Sequence, residues 1–259
     1  MNFRFPEMSK ETSFLLSYLY PYKKKFDELN FIGCESRKVF VKNERGEYEL
    51  IMNYNYGDYG FLHSIENFDK IKGGKESIKY TDSKIVRRKL GESITYHFRK
   101  DGFLEETIHE GTSRKKESYR FNTDQKGTLI GVNNLLVILE GGTTRVLDLK
   151  SGDYVIAWCE YDEDSNSIIY EDPDKVETKI ELDNRGMILN KYSNSECVLQ
   201  TKYEDPDVLV TYVKIDGAFV KSQTREYKVH GQKEEIITTC FEGYPARSVC
   251  KEVSIIRGI

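Results

Sequence analysis

Several signals that usually indicate an enzyme or a metalloprotein are missing from this sequence. Its 259 residues include only five prolines, four histidines and one tryptophan. They contain no glycine-rich phosphate loop, no dinucleotide-binding fingerprint and no Gly-x-Ser-x-Gly motif. No two histidines have zinc-ligand spacing, and no Cys-x-x-Cys occurs. We therefore expect neither a metal nor a cofactor.

The cysteine content and the charge restrict the compartment and the class of partner. Five irregularly spaced cysteines favour free thiols in a reducing compartment, with a disulfide between Cys240 and Cys250 as the alternative. A formal net charge of −4 gives no electrostatic basis for binding nucleic acid. The apolar stretch at residues 14–20 is too short to span a membrane. We expect a cytoplasmic protein that binds neither nucleic acid nor membrane; a lipoprotein or a processed secreted chain is the alternative.

One segment near the N-terminus has helical periodicity. Apolar side chains recur at intervals of three and four residues over positions 15–29, which describes one face of a helix. Ser9 is suited to cap its N-terminus. Pro21 falls inside the pattern and cannot donate a backbone hydrogen bond. The sequence therefore predicts either a kink or two short helices that meet just before Pro21.

From Val39 onward the sequence has the alternation and turn residues of β-strands. Eighteen tyrosines and thirteen phenylalanines suit a half-buried pleated surface. The spacing of the turns predicts about seven hairpins. We predict a mostly β fold, an antiparallel meander of linked hairpins that forms a twisted sheet or an open barrel, with the helical segment packed on it. The domains are then a helical segment at 1–30 and a β domain at 31–259, and the apolar run at 135–139 predicts a strand buried on both faces.

The hairpin around Asp101 and Gly102 gives the clearest register. A three-residue loop with Gly102 in the left-handed conformation would pair Phe98 with Leu104 and place apolar side chains on one face. The other expected partners are Ile94 with Ile108, Thr95 with Thr107 and His97 with Glu105 in this hairpin, and Ile215 with Ala218 and Val213 with Val220 around the two-residue turn at Asp216 and Gly217.

Three segments share an aromatic residue, strand alternation, Asp or Asn, Gly and an apolar residue, namely 96–104, 119–129 and 212–219. They resemble the repeat unit of bacterial tyrosine-aspartate (YD) repeat proteins and of MORN-like antitoxin repeats. The resemblance implies successive hairpins stacked into a continuous sheet or shell, and it brings no catalytic residues with it.

The polar face of the central hairpin is the candidate catalytic site. His97, Glu105 and His109 have the same parity, and a His-Glu pair could act as a general base or hold a metal. An exposed cross-strand charge pair is the interpretation we favour. We therefore favour a protein without enzymatic activity.

Two stretches predict a surface for a protein partner. The tyrosines of residues 53–60 could face a partner, since tyrosine offers a large contact area at little entropic cost, or they could pack on one face of a strand. The acidic segment 160–177 would attract a basic partner, or it is a solvated hairpin tip that needs none. We predict a non-enzymatic protein-binding module, an immunity- or antitoxin-like protein whose partner is another protein such as a basic toxin. A hydrolytic enzyme and a structural assembly component are the alternatives, and the oligomeric state stays open. The predicted partner-binding residues are Tyr54, Tyr56, Tyr59, Asp162, Glu163, Asp164, Glu171, Asp172 and Asp174.

Overall fold

The computed structural model describes residues 3–21, 23–29, 34–57, 60–68, 74–112, 116–184, 186–242 and 246–256. These residues form two short α-helices and twenty β-strands. The helices are α1 (Lys10–Leu19) and α2 (Lys23–Asp27). The first ten strands are β1 (Cys34–Lys42), β2 (Tyr48–Tyr56), β3 (Leu62–Asn67), β4 (Gly74–Tyr80), β5 (Lys84–Lys89), β6 (Glu92–Phe98), β7 (Leu104–Glu110), β8 (Lys116–Thr123), β9 (Leu129–Val132) and β10 (Leu135–Glu140). The last ten are β11 (Thr143–Asp148), β12 (Tyr154–Asp162), β13 (Ser167–Glu171), β14 (Glu177–Leu182), β15 (Ile188–Ser193), β16 (Glu196–Asp205), β17 (Val208–Ile215), β18 (Ala218–His230), β19 (Lys233–Glu242) and β20 (Ala246–Ile256).

The helical segment is divided at the proline, as predicted. The side-chain oxygen of Ser9 accepts a hydrogen bond from the backbone N–H of Thr12 at 3.2 Å, so Ser9 caps α1. Helix α1 ends before Pro21 and α2 begins at Lys23, because proline cannot continue the hydrogen-bond ladder. Neither helix in the described part of the chain is long and apolar enough to cross a membrane.

All twenty described strands belong to one sheet. Consecutive strands pair antiparallel from β1 to β4, from β6 to β15 and from β16 to β20, which confirms the predicted meander. Strand β1 also pairs with β20, from Cys34 opposite Ile256 to Val41 opposite Cys250. The sheet therefore has the connectivity of a closed β-barrel, which corrects the predicted twisted sheet or open barrel. Local alternation carries no information about a pairing between the two ends of the chain.

The chain divides into two compact units. Unit 1 contains Met1–Lys23, Lys79–Arg87 and Gly91–Val198. Unit 2 contains Lys24–Ile78, Arg88–Leu90 and Leu199–Ile259.

The core of unit 1 forms where α1 packs on the sheet. Leu15 of α1 is buried in one cluster with Val146, Cys159 and Ile168, which come from three consecutive strands. Burying a leucine side chain of this kind contributes about 2 kcal/mol. The contact fixes the position of α1 on β11 to β13.

The N-terminal residues of unit 1 run across the loops of two hairpins. Arg4 forms a parallel bridge with Phe103, and Glu7 forms one with Thr128. Glu7 donates its backbone N–H to the carbonyl of Gly127 at 3.0 Å. The segment before α1 is therefore tied by backbone hydrogen bonds to the β6–β7 and β8–β9 loops.

Unit 2 contains a half-buried ion pair beside its aromatic core. Nε of Arg37 on β1 donates to Oε2 of Glu252 on β20 at 3.2 Å. The Arg37 guanidinium also lies 5.4 Å from the centre of the Tyr54 ring. Tyr54 and Ile65, which are paired between β2 and β3, are both buried. The ion pair therefore links the first and last strands over this core.

Four hairpin loops share one pattern of hydrogen bonds. In each loop the backbone N–H of the first residue donates to the carbonyl of the fifth. The side-chain oxygen of the first residue accepts the backbone N–H of the fifth. The fourth residue has positive φ, which glycine adopts without steric cost. The loops begin at Asn43, Asp124, Asp172 and Asp183, and their fourth residues are Gly46, Gly127, Lys175 and Gly186.

The register of the central hairpin is only partly as predicted. Phe98 pairs with Leu104 and Gly102 has φ +90°, which confirms the three-residue loop. A β-bulge then shifts the pairing because Glu105 is an extra residue on β7. The other three expected pairs are therefore wrong; the observed pairs are Ile94 with His109, Thr95 with Ile108 and His97 with Glu106.

The pairing around Asp216 and Gly217 is as predicted, whereas the burial of β10 is not. The pairs Ile215 with Ala218 and Val213 with Val220 are confirmed. Strand β10 is not buried on both faces, because Val137 is buried on one face whereas Leu136 and Ile138 on the other face are only partly buried. An unbroken apolar run does not show whether the second face of a strand is covered.

Candidate ligand-binding cleft

The predicted catalytic residues do not form one site. His97 lies opposite Glu106, whereas His109 lies opposite Ile94, so strand alternation puts the two histidines on different faces of the sheet. Glu106 accepts a hydrogen bond from Ser118 Oγ at 2.7 Å and lies 3.7 Å from Arg120. These contacts describe a surface charge pair. Among the residues that the structure describes, no group of three or more His, Cys, Asp or Glu side chains is placed to hold a metal.

The predicted tyrosine surface is not available to a partner in this structure. Tyr54 and Tyr56 are 5% and 6% exposed, so these two side chains pack on the sheet. Burial also raises the pKa of the Tyr56 phenol. Tyr59 lies outside the described residues. The alternative interpretation, in which the tyrosines pack on a strand face, holds for Tyr54 and Tyr56.

The acidic segment is divided between the two ends of β13. That strand has five residues and is about 17 Å long at 3.3 Å per residue. Asp162 is the last residue of β12, and its carboxylate accepts a hydrogen bond from Ser165 Oγ at 2.6 Å, in the turn before β13. This hydrogen bond is the main cause of the lowered pKa of Asp162. The predicted residues therefore form two separate groups, Asp162, Glu163 and Asp164 at one end and Glu171, Asp172 and Asp174 at the other. The protein partner itself stays a prediction.

Three of the cysteines, Cys34, Cys159 and Cys250, do not have the environment of a nucleophile. All five are free. Burial raises the pKa of the Cys159 thiol to about 12, and it also raises the pKa of Cys34 and Cys250. A thiol with a raised pKa contains little of the reactive thiolate at neutral pH.

The cleft that we identify as the candidate site lies in unit 1 and has a volume of about 800 Å³. It opens between the start of α1, the β12–β13 hairpin and the turn between β14 and β15. Its lining residues are Met8, Ser9, Lys10, Ser13, Phe14, Tyr161, Glu163, Asn166, Ile168, Leu182, Asp183, Asn184 and Gly186.

The floor of this cleft is apolar. Phe14 and Leu182 pack against the buried cluster that contains Leu15, and Ile168 belongs to the cluster itself. The ring of Phe14 lies 5.8 Å from the ring of Tyr170, centre to centre. Because these contacts join α1 to the sheet, the floor is part of the core and is held in place by it.

A chain of hydrogen bonds forms one wall of the cleft. Lys10 Nζ donates to the Tyr161 hydroxyl at 3.0 Å and lies 4.1 Å from the centre of the same ring. The Tyr161 hydroxyl donates to Asn166 Oδ1. Asn166 Nδ2 in turn donates to the carbonyls of Leu182 and Asp183 at 2.9 and 3.0 Å. The wall is therefore tied to two neighbouring turns of the sheet.

The charges around the cleft are of both signs. The hydrogen bond to Tyr161 raises the pKa of Lys10, and the nearby Glu163 carboxylate acts in the same direction. Lys10 is therefore an ammonium group at neutral pH. Glu163 and Asp183 also line the cleft, which therefore offers both hydrogen-bond donors and acceptors to a ligand.

No pattern in the sequence predicts this cleft. Lys10 and Tyr161 are 151 positions apart, and neither belongs to a recognisable motif. The sequence predicted the cap at Ser9 and singled out the acidic segment 160–177, but only the packing of Leu15 places these two regions side by side.

No family model and no curated protein matches this chain. Among solved structures, a porin-like protein from Bacteroides uniformis has 11% identity and a TM-score of 0.41, with 89% of this chain and 99% of that chain covered. A porin-like protein from Bacteroides vulgatus has 10% identity and a TM-score of 0.34, with 86% and 98% covered. At these values the likeness does not transfer a function to this chain.

These comparisons correct three predictions. The neighbours are described as porin-like, and no tyrosine-aspartate or MORN-like repeat family matches, so the predicted resemblance is wrong. The immunity- or antitoxin-like binding module that depended on it is also wrong. The cytoplasmic location is likewise contradicted by the porin-like neighbours.

Proposed function

We propose that this protein binds a small, uncharged, polyhydroxylated ligand, such as a mono- or disaccharide, in the cleft beside α1. The observation that carries the proposal is the hydrogen-bonded wall of Lys10, Tyr161 and Asn166 above an apolar floor. Ligand sites in proteins combine apolar surface with a few fixed polar groups in this way.

The distribution of polar groups favours hydroxyl groups in the ligand. Lys10, Ser13 and Asn184 can donate hydrogen bonds into the cleft, and the Glu163 carboxylate can accept them. A hydroxyl both donates and accepts, so it can pair with either kind of group. One ammonium and two carboxylates leave one formal negative charge, which disfavours an anionic ligand such as a phosphate or a carboxylate.

Titration calorimetry with a panel of neutral mono- and disaccharides tests the proposal. Tyr161→Phe keeps the ring and removes the hydroxyl at the centre of the wall, and we expect about ten-fold weaker binding. Tyr192→Phe is the matched control, because that hydroxyl donates to Glu181 at 3.3 Å and does not line the cleft. Unchanged binding is expected for the control. The proposal is wrong if no sugar binds the wild type, or if the two variants lose the same affinity.

The pairing of β1 with β20 favours a second candidate, a β-barrel that inserts into a membrane. A closed antiparallel sheet is the form in which β-proteins span a bilayer, because closure leaves no unpaired edge. The cross-strand pair Glu106–Arg120 and the pair Lys179–Glu181 are part-exposed, and such charges are favourable in a polar lumen and unfavourable against lipid tails, so they do not by themselves favour insertion. Ligand binding is therefore the first candidate.

Flotation with phosphatidylcholine vesicles distinguishes the two candidates. An inserted barrel floats with the vesicles at high salt and resists added protease. Recovery of the whole protein at the bottom of the gradient would exclude insertion into that bilayer, and it would leave the saccharide titration unaffected.

A further inference from the structure

A second cleft lies in unit 2, on one face of the strands that join the two ends of the chain. Its volume is about 320 Å³. Three lysines and four apolar or aromatic residues line it, and none of the lining residues is acidic. They are Lys38, Phe40, Tyr48, Lys233, Lys251, Val253 and Ile255.

The strand register explains why the lysines meet. Lys38 of β1 lies opposite Val253 of β20, two positions from Lys251, and Lys233 of β19 lies opposite Ile255. Because side chains two positions apart on a strand share a face, the three ammonium groups lie on the same face of the sheet.

A buried carboxylate holds two of the lysines in place. Glu235 is 8% exposed, and its Oε2 lies 3.1 Å from Lys251 Nζ, while its Oε1 pairs with Lys233. These two contacts, that to Lys233 first, lower the pKa of Glu235. Each ammonium has three donors, so pairing with one carboxylate leaves donors for a ligand. Lys38 is exposed and has no ion pair within the described part of the chain.

The same cleft presents an aromatic surface. The Tyr48 residue is 41% exposed, and Lys251 Nζ and Lys42 Nζ lie 5.6 and 6.0 Å from the centre of its ring. Phe40 and Val253 add apolar surface between the lysines. A flat ring can therefore contact Tyr48 while its charged group reaches the ammonium groups.

We propose that this cleft binds a small organic phosphate that carries a flat ring, such as a nucleoside monophosphate. The three ammonium groups and one carboxylate leave two formal positive charges, and a phosphate monoester carries about −1.5 to −2 at neutral pH. Lysine is a common ligand of phosphate, and the exposed tyrosine supplies a surface for the ring. This site is separate from the saccharide cleft in unit 1 and does not depend on it.

Calorimetric titration of the full chain with adenosine monophosphate tests the proposal, with adenosine and inorganic phosphate as separate probes. Saturable binding of the nucleotide is expected, with each partial probe at least ten-fold weaker. The affinity should also fall with added salt, because the recognition is partly electrostatic. Equal affinity for the nucleotide and for inorganic phosphate would show unselective anion attraction and would overturn the proposal.

Lys38→Gln tests the charge without disturbing an ion pair, and about five-fold weaker nucleotide binding is expected. Lys202→Gln is the matched control, an exposed lysine of the same unit on β16, about 19 Å from β20 at 4.8 Å per strand. Tyr48→Ala should weaken binding of the nucleotide and leave that of phosphate unchanged. Equal losses in the two lysine variants, or no effect of Tyr48→Ala on the nucleotide, would contradict the assigned site.

Discussion

Lys175 occupies a backbone position that glycine occupies in three equivalent loops. It is the fourth residue of the loop that begins at Asp172, and its φ is +62°. The corresponding angles are +83° at Gly46, +89° at Gly127 and +77° at Gly186. Since the loops have the same hydrogen bonds, Lys175→Gly changes the side chain without requiring a new backbone conformation.

The size of the effect follows from two opposing contributions. For a residue with a Cβ, the left-handed conformation is roughly 1–2 kcal/mol less favourable than the right-handed one. Glycine loses about 0.5–1 kcal/mol more backbone entropy on folding than other residues do. Lys175 is exposed, so little packing is lost. We expect Lys175→Gly to raise the free energy of unfolding by about 0.5–1 kcal/mol, or the melting temperature by about 1–4 °C.

Urea denaturation followed by circular dichroism measures this difference, with two reciprocal variants in the same experiment. A Cβ at Gly186 would meet no atom within 4 Å, so Gly186→Ala should lower the free energy of unfolding only by the cost of a Cβ in the left-handed conformation, about 1 kcal/mol. A Cβ at Gly127 would lie 2.5 Å from the Phe103 ring, so Gly127→Ala should lower the free energy of unfolding more than Gly186→Ala does. A neutral or destabilising Lys175→Gly together with a destabilising Gly186→Ala would refute the equivalence of the loops.

Three further perturbations test the packing and the electrostatics. Leu15→Ala should lower the free energy of unfolding by about 2–5 kcal/mol, measured by urea denaturation, because the side chain is buried between α1 and the sheet. The hydrogen bond from the backbone N–H of Thr128 is the main cause of the lowered pKa of Asp124. The ionised carboxylate therefore stabilises the folded state above the unfolded pKa of about 3.9, and this stability is lost as the pH falls through the lower folded pKa. Asp124→Asn removes this titrating group, so the melting temperature of the variant should fall less steeply below about pH 4 than that of the wild type in a pH series. A double-mutant cycle with Arg37→Ala and Glu252→Ala should give a coupling of about 1–2 kcal/mol for this half-buried pair, and a coupling near zero would show that the pair does not stabilise the contact between β1 and β20.

The features predicted correctly from the sequence are those set by neighbouring residues. Pro21 ends a helix because it lacks an N–H, whatever lies around it. The pairing of Phe98 with Leu104 and that of Ile215 with Ala218 follow from the length of the intervening loop. In each case the determining atoms lie within a few positions of the residue concerned, so the pattern contains the physical cause.

The incorrect predictions concern choices that neighbouring residues do not determine. One extra residue at Glu105 shifted every pair beyond it in the central hairpin, and no turn residue marks a bulge at that position. The pairing of β1 with β20 joins residues such as Arg37 and Ser254 across most of the chain. The sequence also does not determine whether Tyr54 is exposed or buried, because a tyrosine suits either face of a strand.

The candidate cleft shows how one long-range contact changes a functional interpretation. The sequence patterns favoured residues of one type that lie close together in the chain, such as the acids around Asp162. In the folded protein β13 separates these acids into two groups, one at each end of the strand. Lys10 belonged to no cluster. It lies five positions before Leu15, or about 7.5 Å along a helix at 1.5 Å per residue. Because Leu15 is held in the core with Ile168, that distance places Lys10 over the β12–β13 turn, where Tyr161 accepts its hydrogen bond. The site therefore follows from the burial of one leucine, and its polar residues are brought together by a contact that is itself apolar.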